Sequence, residues 1–436
     1  MYLSTVSRPV ADEPGSGLRR RRFAMVSGNV VALGTVSLIT DVSAEMVAAV
    51  LPLYLVLGLN LSPVAFGVLD GVHTGATALL RVVGGFAADR FRRRKLIAGI
   101  GYTLSAVAKL GLLLAGRSIP AIGAVIAVDR LGKGVRSAPR DALITLSTPP
   151  EALGRAFGVH RAMDSVGAFL GPLAAFAVLL VVGQSYDAVF VTSFCIAALA
   201  VVVLVLFVRE QPSGEAAGGD AAGGEAAGEA SDAKVSVREA FGLLRGGPAR
   251  RLVLAAAMLG LATIGDGFVY LLLQRRMDLG LRWFPLLAVG TSLAYLLLAA
   301  PLGVLADRIG RLPVVIGGYT ALAATYLLLA GPVDGWPLIA LALTLYGAFY
   351  AATDGVLIAL AGPVLPARLR TTGIALVQTG QALAYLVSSV LFGLAWQAWG
   401  PENAIRAAAV AVAGVLVGTL LLLASPSRLT TRKVLR

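Results

Sequence analysis

The sequence predicts an all-α membrane protein of twelve transmembrane helices, built as two related six-helix halves. Three observations predict it. Hydrophobic residues make up 57% of the 436 positions and charged residues only 14%, with a mean hydropathy of +0.83; soluble domains carry about 25% charged residues. The apolar residues fall into runs long enough to cross about 30 Å of hydrocarbon, which takes about 20 helical residues. A charged loop motif also recurs half a chain later.

The runs lie at 24–57, 64–88, 95–116, 119–143, 155–182 and 187–208, then at 251–274, 284–306, 313–331, 335–362, 370–396 and 402–425. The first exceeds one crossing, so its start is expected at the membrane surface, or the helix tilts. Residues 1–23 are expected to form a cytoplasmic tail, 24–208 an N-terminal bundle, 250–425 a C-terminal bundle and 426–436 a second tail. Between the bundles, 209–249 is expected to be a largely disordered cytoplasmic linker. Its stretch Ser213 to Ala233 is Gly, Ala and Glu without apolar periodicity, and cannot bury enough surface to offset its ordering entropy. The run Arg19 to Arg22 precedes a long span with no small-residue cleavage site, so the N-terminus does not read as a cleavable signal. The sole cysteine, Cys195, excludes an internal disulfide and is expected to be buried and inert.

A net charge of +13 would raise nucleic acid as a partner in a soluble chain. Here topology absorbs it, and no nucleic acid is expected. Lys and Arg gather on alternate loops: Arg90 to Lys95, Arg140 with Arg155, Arg308 with Arg311, and Arg368 with Arg370. The loop Gly58 to Pro63 has none. The positive-inside rule then places both termini in the cytoplasm of a cell (inner or plasma) membrane. Arg275, Arg276 and Arg282 fall on the wrong side of that rule. Trp396 and Trp399 are expected to anchor the outer interface.

Gly85-Phe-Ala-Ala-Asp89-Arg90-Phe-Arg92-Arg93 follows the second span, and Gly303-Val-Leu-Ala-Asp307-Arg308-Ile-Gly310-Arg311 follows the eighth, 218 positions later. Near the same offset, Pro150 to Gly158 and Pro366 to Gly373 precede the bodies of the fifth and eleventh spans. Two matched pairs at one spacing argue for duplication of a six-helix unit. These loops resemble the signature Gly-x-x-x-Asp-Arg-x-Gly-Arg-Arg of the major facilitator superfamily (MFS). Arg130-Leu-Gly-Lys133-Gly134 stands where that family has Arg-x-x-Gln-Gly, and Gly167-Ala-Phe-Leu-Gly171-Pro172 resembles its antiporter-associated helix-packing motif, with Ala174-Ala175 in place of a closing Gly-Gly. The resemblance implies the MFS fold, two six-helix bundles related by a pseudo-twofold repeat. It also implies gating loops formed by Gly85, Asp89, Arg90 and Arg93, and by Gly303, Asp307, Arg308, Gly310 and Arg311. In them the glycines permit close helix approach, and Asp89 and Asp307 accept hydrogen bonds from a neighbouring helix N-terminus.

Ionisable residues at a helix centre cost about 2.5–3.5 kcal/mol on insertion scales, so they face partners or a cavity. Ser37, Asp41 and Glu45 recur every four residues and share one face. Asp70, His73, Thr77 and Arg81 form a stripe on the second span, Asp129, Lys133, Arg136 and Arg140 on the fourth, and His160 with Asp164 on the fifth. The second half offers Asp266, Tyr270 and Gln274, then Tyr346, Tyr350 and Asp354, then Gln378, Gln381 and Tyr385. Proton coupling is expected in the first half, on Asp41, Glu45, Arg130, Asp164 and His160, because a carboxyl group in low dielectric holds a proton near neutrality more readily than in water. The substrate cavity is expected to include Asp70, His73, Arg81, Asp266, Tyr270, Tyr350, Asp354, Gln378 and Gln381. Structural ion pairing is the competing reading of the same charges. His73 and His160 are relay candidates, and no metal is expected, since a metal site wants several convergent ligands.

No nucleophile elbow, phosphate-binding loop or His-Glu-x-x-His occurs, so an enzyme or ATP-driven pump is not expected. The sequence reads as a monomeric secondary transporter of a small solute by alternating access. It needs no cofactor and draws on the proton gradient, with proton-coupled efflux leading. Proton-coupled or facilitated uptake of a metabolite or organic anion is the alternative, followed by a lipid flippase or a nontransporting receptor.

Overall fold

The computed structural model describes residues 27–75, 93–149, 152–183, 185–210, 247–354 and 370–424, and every regular element among them is helical. Arg81, Gly85, Asp89, Arg90, both expected tails and most of the expected linker lie outside these residues. The first half contains α1 (Gly28–Leu53), α2 (63–75), α3 (Arg94–Leu114), α4 (Ile119–Leu146), α5 (Leu153–Val181) and α6 (Tyr186–Phe207). The second contains α7 (Gly247–Leu261), α8 (Asp266–Met277), α9 (Pro285–Ile309), α10 (Arg311–Ala330), α11 (Trp336–Thr353) and α12 (Arg370–Ala424). Among the described residues nine helices are long and apolar enough to cross a membrane. The charged α4 and the short described part of α2 are not among the nine.

Local chemistry sets the ends. Ser27, Ser118 and Ser185 each stand one residue before a helix, and their hydroxyls accept the amides of Val30, Ala121 and Ala188, satisfying donors that have no intrahelical partner. Glu210, just beyond α6, accepts the Arg94 and Lys95 amides at 3.1 and 2.8 Å and so caps α3. Two spans depart from plain helices. α12 turns sharply at Gly400 (φ 80, ψ 165), with Pro401 after it, so it is two arms that serve as the eleventh and twelfth spans. The seventh span, expected as one helix, is broken between Leu261 and Asp266. There Gly265 adopts an extended backbone, and the Ile264 amide donates to the Tyr326 hydroxyl at 3.0 Å.

The pairing of helices repeats between halves. α1 packs on α5 and α6, and α3 on α4 and α6; α7 packs on both arms of α12, and α10 on α11 and α12. Between the halves α1 meets α8 and α9, and two further contacts are α5 with α9 and α2 with the first arm of α12. A shift of six spans exchanges these two, which is the twofold relation seen in packing. Glycines set the close approaches. A Cβ on Gly167 would lie 2.5 Å from the Leu38 carbonyl oxygen, and one on Gly393 2.5 Å from that of Pro63. Such contacts supply the van der Waals packing that holds helices together in lipid, where no hydrophobic force acts between them.

Several expectations need correction. Cys195 is exposed, because α6 turns only one face to α1 and α3 and leaves the rest to lipid. Trp396 does not anchor an interface: it is buried, its ring 5.7 Å from Phe268 and 6.0 Å from Phe392, while Trp399 is exposed. Gly303 is not at a close approach in this structure, since a Cβ there meets no atom within 4 Å. The three misplaced arginines have structural work. Arg276 pairs with Asp334 at 2.8 Å and donates to the carbonyls of Leu328, Leu329 and Gly331 at the end of α10. Arg275 lies over the Trp396 ring and Arg282 over Trp283.

Because the α1–α5 seam leaves no room beside Gly167, a Gly167→Val variant is expected to lose about 1–3 kcal/mol by overpacking. Thermal unfolding of the detergent-solubilised protein checks this.

Candidate functional site

In the first half, α3 and α4 bury an ion cluster. The Asp129 carboxylate accepts from the Ser105 hydroxyl and from Arg130, whose Nε stands at 3.0 Å, while the Lys109 ammonium lies 3.6 Å away. Lys109 is 3% exposed and also donates to the Ser105 carbonyl at 3.0 Å. Arg130 therefore spends its charge on its own neighbour. Nearly two turns on, Arg136 lays its guanidinium over the Tyr102 ring, 4.8 Å from the centroid. Removing one member of such a cluster strands the others and typically costs 3–5 kcal/mol.

A second chain of polar groups links α5, α1 and α4. His160 Nδ1 stands 3.5 Å from the Asp164 carboxylate, and its Nε2 is 3.0 Å from the Ser37 hydroxyl. Arg140 donates to that hydroxyl at 3.3 Å and to Asp141 at 2.9 and 3.0 Å. The other Asp164 oxygen is buried without a hydrogen-bond partner. Asp41 and Glu45 behave differently from all of these. Both are half-buried, and neither has a hydrogen bond or ion pair among the described residues. Lys133 lies within electrostatic reach of both, and Glu45 also feels Asp266 of the other half. Gly171 permits this placement, since a Cβ there would sit 2.5 Å from the Glu45 Cβ.

In the second half the break in the seventh span delivers Asp266 to the start of α8. Its carboxylate accepts from the Tyr346 hydroxyl at 2.7 Å and from Tyr350, both one turn apart on α11. Tyr270, one turn further along α8, faces Tyr346 edge-on at 6.4 Å. Gln378 and Gln381 are half-buried on α12. Asp354 is not part of this group: it ends α11, is exposed, and accepts from Tyr295 at 3.1 Å.

The halves meet at Asp70. This carboxylate belongs to α2 but accepts from Ser389 at 2.7 Å and Tyr385 at 3.3 Å, both on α12. A Cβ on Gly265 would collide with it. Beyond it, toward the end that carries residues 58–63, Phe66 packs edge-on against Phe268 at 4.7 Å, and Phe268 against Phe392 at 4.9 Å. That end is closed. At the opposite end Asp307 is exposed and has no hydrogen bond or ion pair among the described residues. Among the described residues, the contact expected of the second gating loop is not found.

Two helical bundles that bury polar groups can be compared with known proteins. The family model of the Major Facilitator Superfamily matches residues 33–291 and 278–435. The chain belongs to this superfamily. An uncharacterised MFS-type transporter of Methanocaldococcus jannaschii is 30% identical over 379 residues, 85% of this chain and 89% of the relative. An uncharacterised protein of Mycobacterium tuberculosis is 38% identical over 158 residues, 36% of this chain and 38% of that protein. Among solved structures, the nucleoside transporter NupG superposes with a TM-score of 0.75 at 13% identity, covering 91% of this chain and 99% of that one. A D-xylose–proton symporter superposes at 0.66 and 18% identity, covering 91% and 96%. These likenesses establish the fold, and the chain is an MFS transporter of a small solute rather than an enzyme.

Sequence reasoning about this MFS chain missed Lys109, Ser389 and the helix break. A lysine inside the apolar run 95–116 was a legible signal, as were Gly260 and Gly265 flanking a short segment before an acid; broken helices mark binding sites in transporters. Ser389 carried no signal, because only packing brings it to Asp70. His73 lines a small cavity with Lys109, Asp129 and Arg130, and among the described residues no group of His, Cys, Asp and Glu could hold a metal.

Asp70→Ala removes two hydrogen bonds that tie α2 to α12, worth about 1–3 kcal/mol to a charged group. The closed end is then expected to open in a larger share of molecules, read as a longer distance between spin labels at Leu61 and Glu402. Ser389→Ala, which removes one bond, is expected to give a smaller shift in the same direction.

Proposed function

We propose that this MFS transporter exchanges protons for a polar organic solute and exports it. The observation that carries the reading is the pair Asp41 and Glu45. Every other described acid facing the first-half seam has a cation or hydrogen-bond donor at contact distance. Among the described residues these two have none, and they share Lys133 at a remove. A carboxylate held in low dielectric without a partner is one that a proton can neutralise at small structural cost. Protonation of Glu45 would also remove a negative charge that acts on Asp266 across the cavity. The state of one half is thereby felt by the other.

The lining supports a solute with hydrogen-bonding groups. Tyr270, Tyr346, Tyr350, Gln378 and Gln381 supply hydroxyls, amides and ring faces, and Asp266 orients two of the tyrosines. The distribution of Lys and Arg supports cytoplasmic termini. On that orientation the closed end is the outer one, and the cavity faces inward, ready to load a cytoplasmic solute. The Gly167–Gly171–Pro172 packing of α5 on α1, which resembles the antiporter motif, supports export. Uptake is the second reading, favoured by the structural likeness to a D-xylose–proton symporter and a nucleoside transporter.

Purified protein in proteoliposomes with an imposed pH gradient tests this against nucleosides, sugars, peptides and organic ions. A substrate is expected to drive proton movement opposite to its own, and Asp41→Asn and Glu45→Gln are each expected to remove the proton movement while solute binding persists. Proton movement that survives both substitutions would overturn the assignment; movement in the same direction as the solute would make the chain a symporter.

A further inference from the structure

On the outer wall of the first half, α3 and α6 leave a long groove between them. Its lower end is polar, formed by Arg93, Lys95 and Glu210, and the rest is apolar, formed chiefly by Ile100, Leu104 and Val107 of α3 and Val201 and Val205 of α6. It is separate from the solute cavity, which lies on the opposite side of α3 from Leu96, Ile100 and Val107. Those three side chains are 53, 55 and 54% exposed. We propose that this groove is a binding site for an anionic glycerophospholipid, with one acyl chain along the α3–α6 cleft and the phosphate at Arg93 and Lys95.

Three features of the site choose that occupant. The first is charge. Glu210 would oppose an anion, but both its oxygens are occupied by the Arg94 and Lys95 amides at the start of α3. The surplus at the groove mouth is therefore positive. Arg93 is exposed, and Arg94 Nη1 nearby is buried with no hydrogen-bond partner. The second is length. From Lys95 to Val107 a helix rises about 18 Å, close to the ~15 Å between the edge of the hydrocarbon and its midplane. An acyl chain fixed by its headgroup at Arg93 would thus end near Val107. The third is depth. Lys95 Nζ donates to the Val205 carbonyl at 2.9 Å, which holds the α6 end against α3 and keeps the mouth formed. Basic mouths of this kind on the cytoplasmic side of helix clefts suit anionic headgroups.

The test is native mass spectrometry of the full chain in detergent, titrated with phosphatidylglycerol or with phosphatidylcholine of the same acyl chains. Phosphatidylglycerol is expected to be retained preferentially. Arg93→Gln is expected to reduce that preference about fivefold, the share of one basic residue near a membrane surface. Thr103→Trp, which fills the apolar part, is expected to remove the retained lipid, while Leu180→Trp on the lipid face of α5 leaves it. Equal retention of the two lipids would overturn the proposal. So would phosphatidylglycerol that persists in Thr103→Trp, or a Thr103→Trp-sensitive dimer peak in place of lipid.

Discussion

Hydrocarbon offers no water to a polar group, and that constraint organises this molecule. Each backbone amide freed by a helix break, and each charge placed at mid-depth, must find a partner on another helix or line a wet space. The break before Asp266 shows the first solution. Its Ile264 amide goes to Tyr326, and its carboxylate goes to two tyrosines of α11. The Asp129 cluster shows the second, with Ser105, Lys109 and Arg130 converging from two helices on one carboxylate. The same demand explains the loop arginines that defy the charge rule. Arg276 satisfies carbonyls that the end of α10 would otherwise leave bare.

Among the described residues Asp41, Glu45 and one oxygen of Asp164 lack a hydrogen-bond partner, and they lie on the two helices, α1 and α5, that pack most closely. Gly167 and Gly171 make that closeness possible. Asp70 is the converse case: a carboxylate whose described hydrogen bonds both come from the other half. Its bonds to Ser389 and Tyr385 accompany the packed Phe66–Phe268 cluster, and a parting of the two halves there would break them. A carboxylate that prefers one arrangement of the halves gives that arrangement a defined free-energy advantage, which is what a two-state rocking mechanism needs.

The fold was largely legible before the structure. Runs of apolar residues marked the spans, and the repeat of Gly85–Arg93 at Gly303–Arg311 marked the halves. What was not legible follows from two causes. A periodic apolar pattern cannot show a break of a few residues, so the seventh span looked continuous across Gly265. Nor does hydropathy tell a lipid-facing wall from a buried one, since both are apolar. By hydropathy Trp396 reads as interfacial, yet it is part of the ring cluster; Cys195 reads as buried, yet it is exposed.

The sequence by itself determined that this chain crosses a membrane many times, that it is duplicated, and that its first half carries acids and bases at mid-depth. Those properties depend on composition, length and spacing, which are local. Only the tertiary structure decided which charges are spent and which are unspent. Arg130, a proton-coupling candidate by sequence, is bound to Asp129, and Lys109, which the sequence pattern does not single out, completes that cluster. Pairing is decided by which helix faces meet within 4 Å, and those meetings depend on glycine contacts and a helix break far apart in the chain.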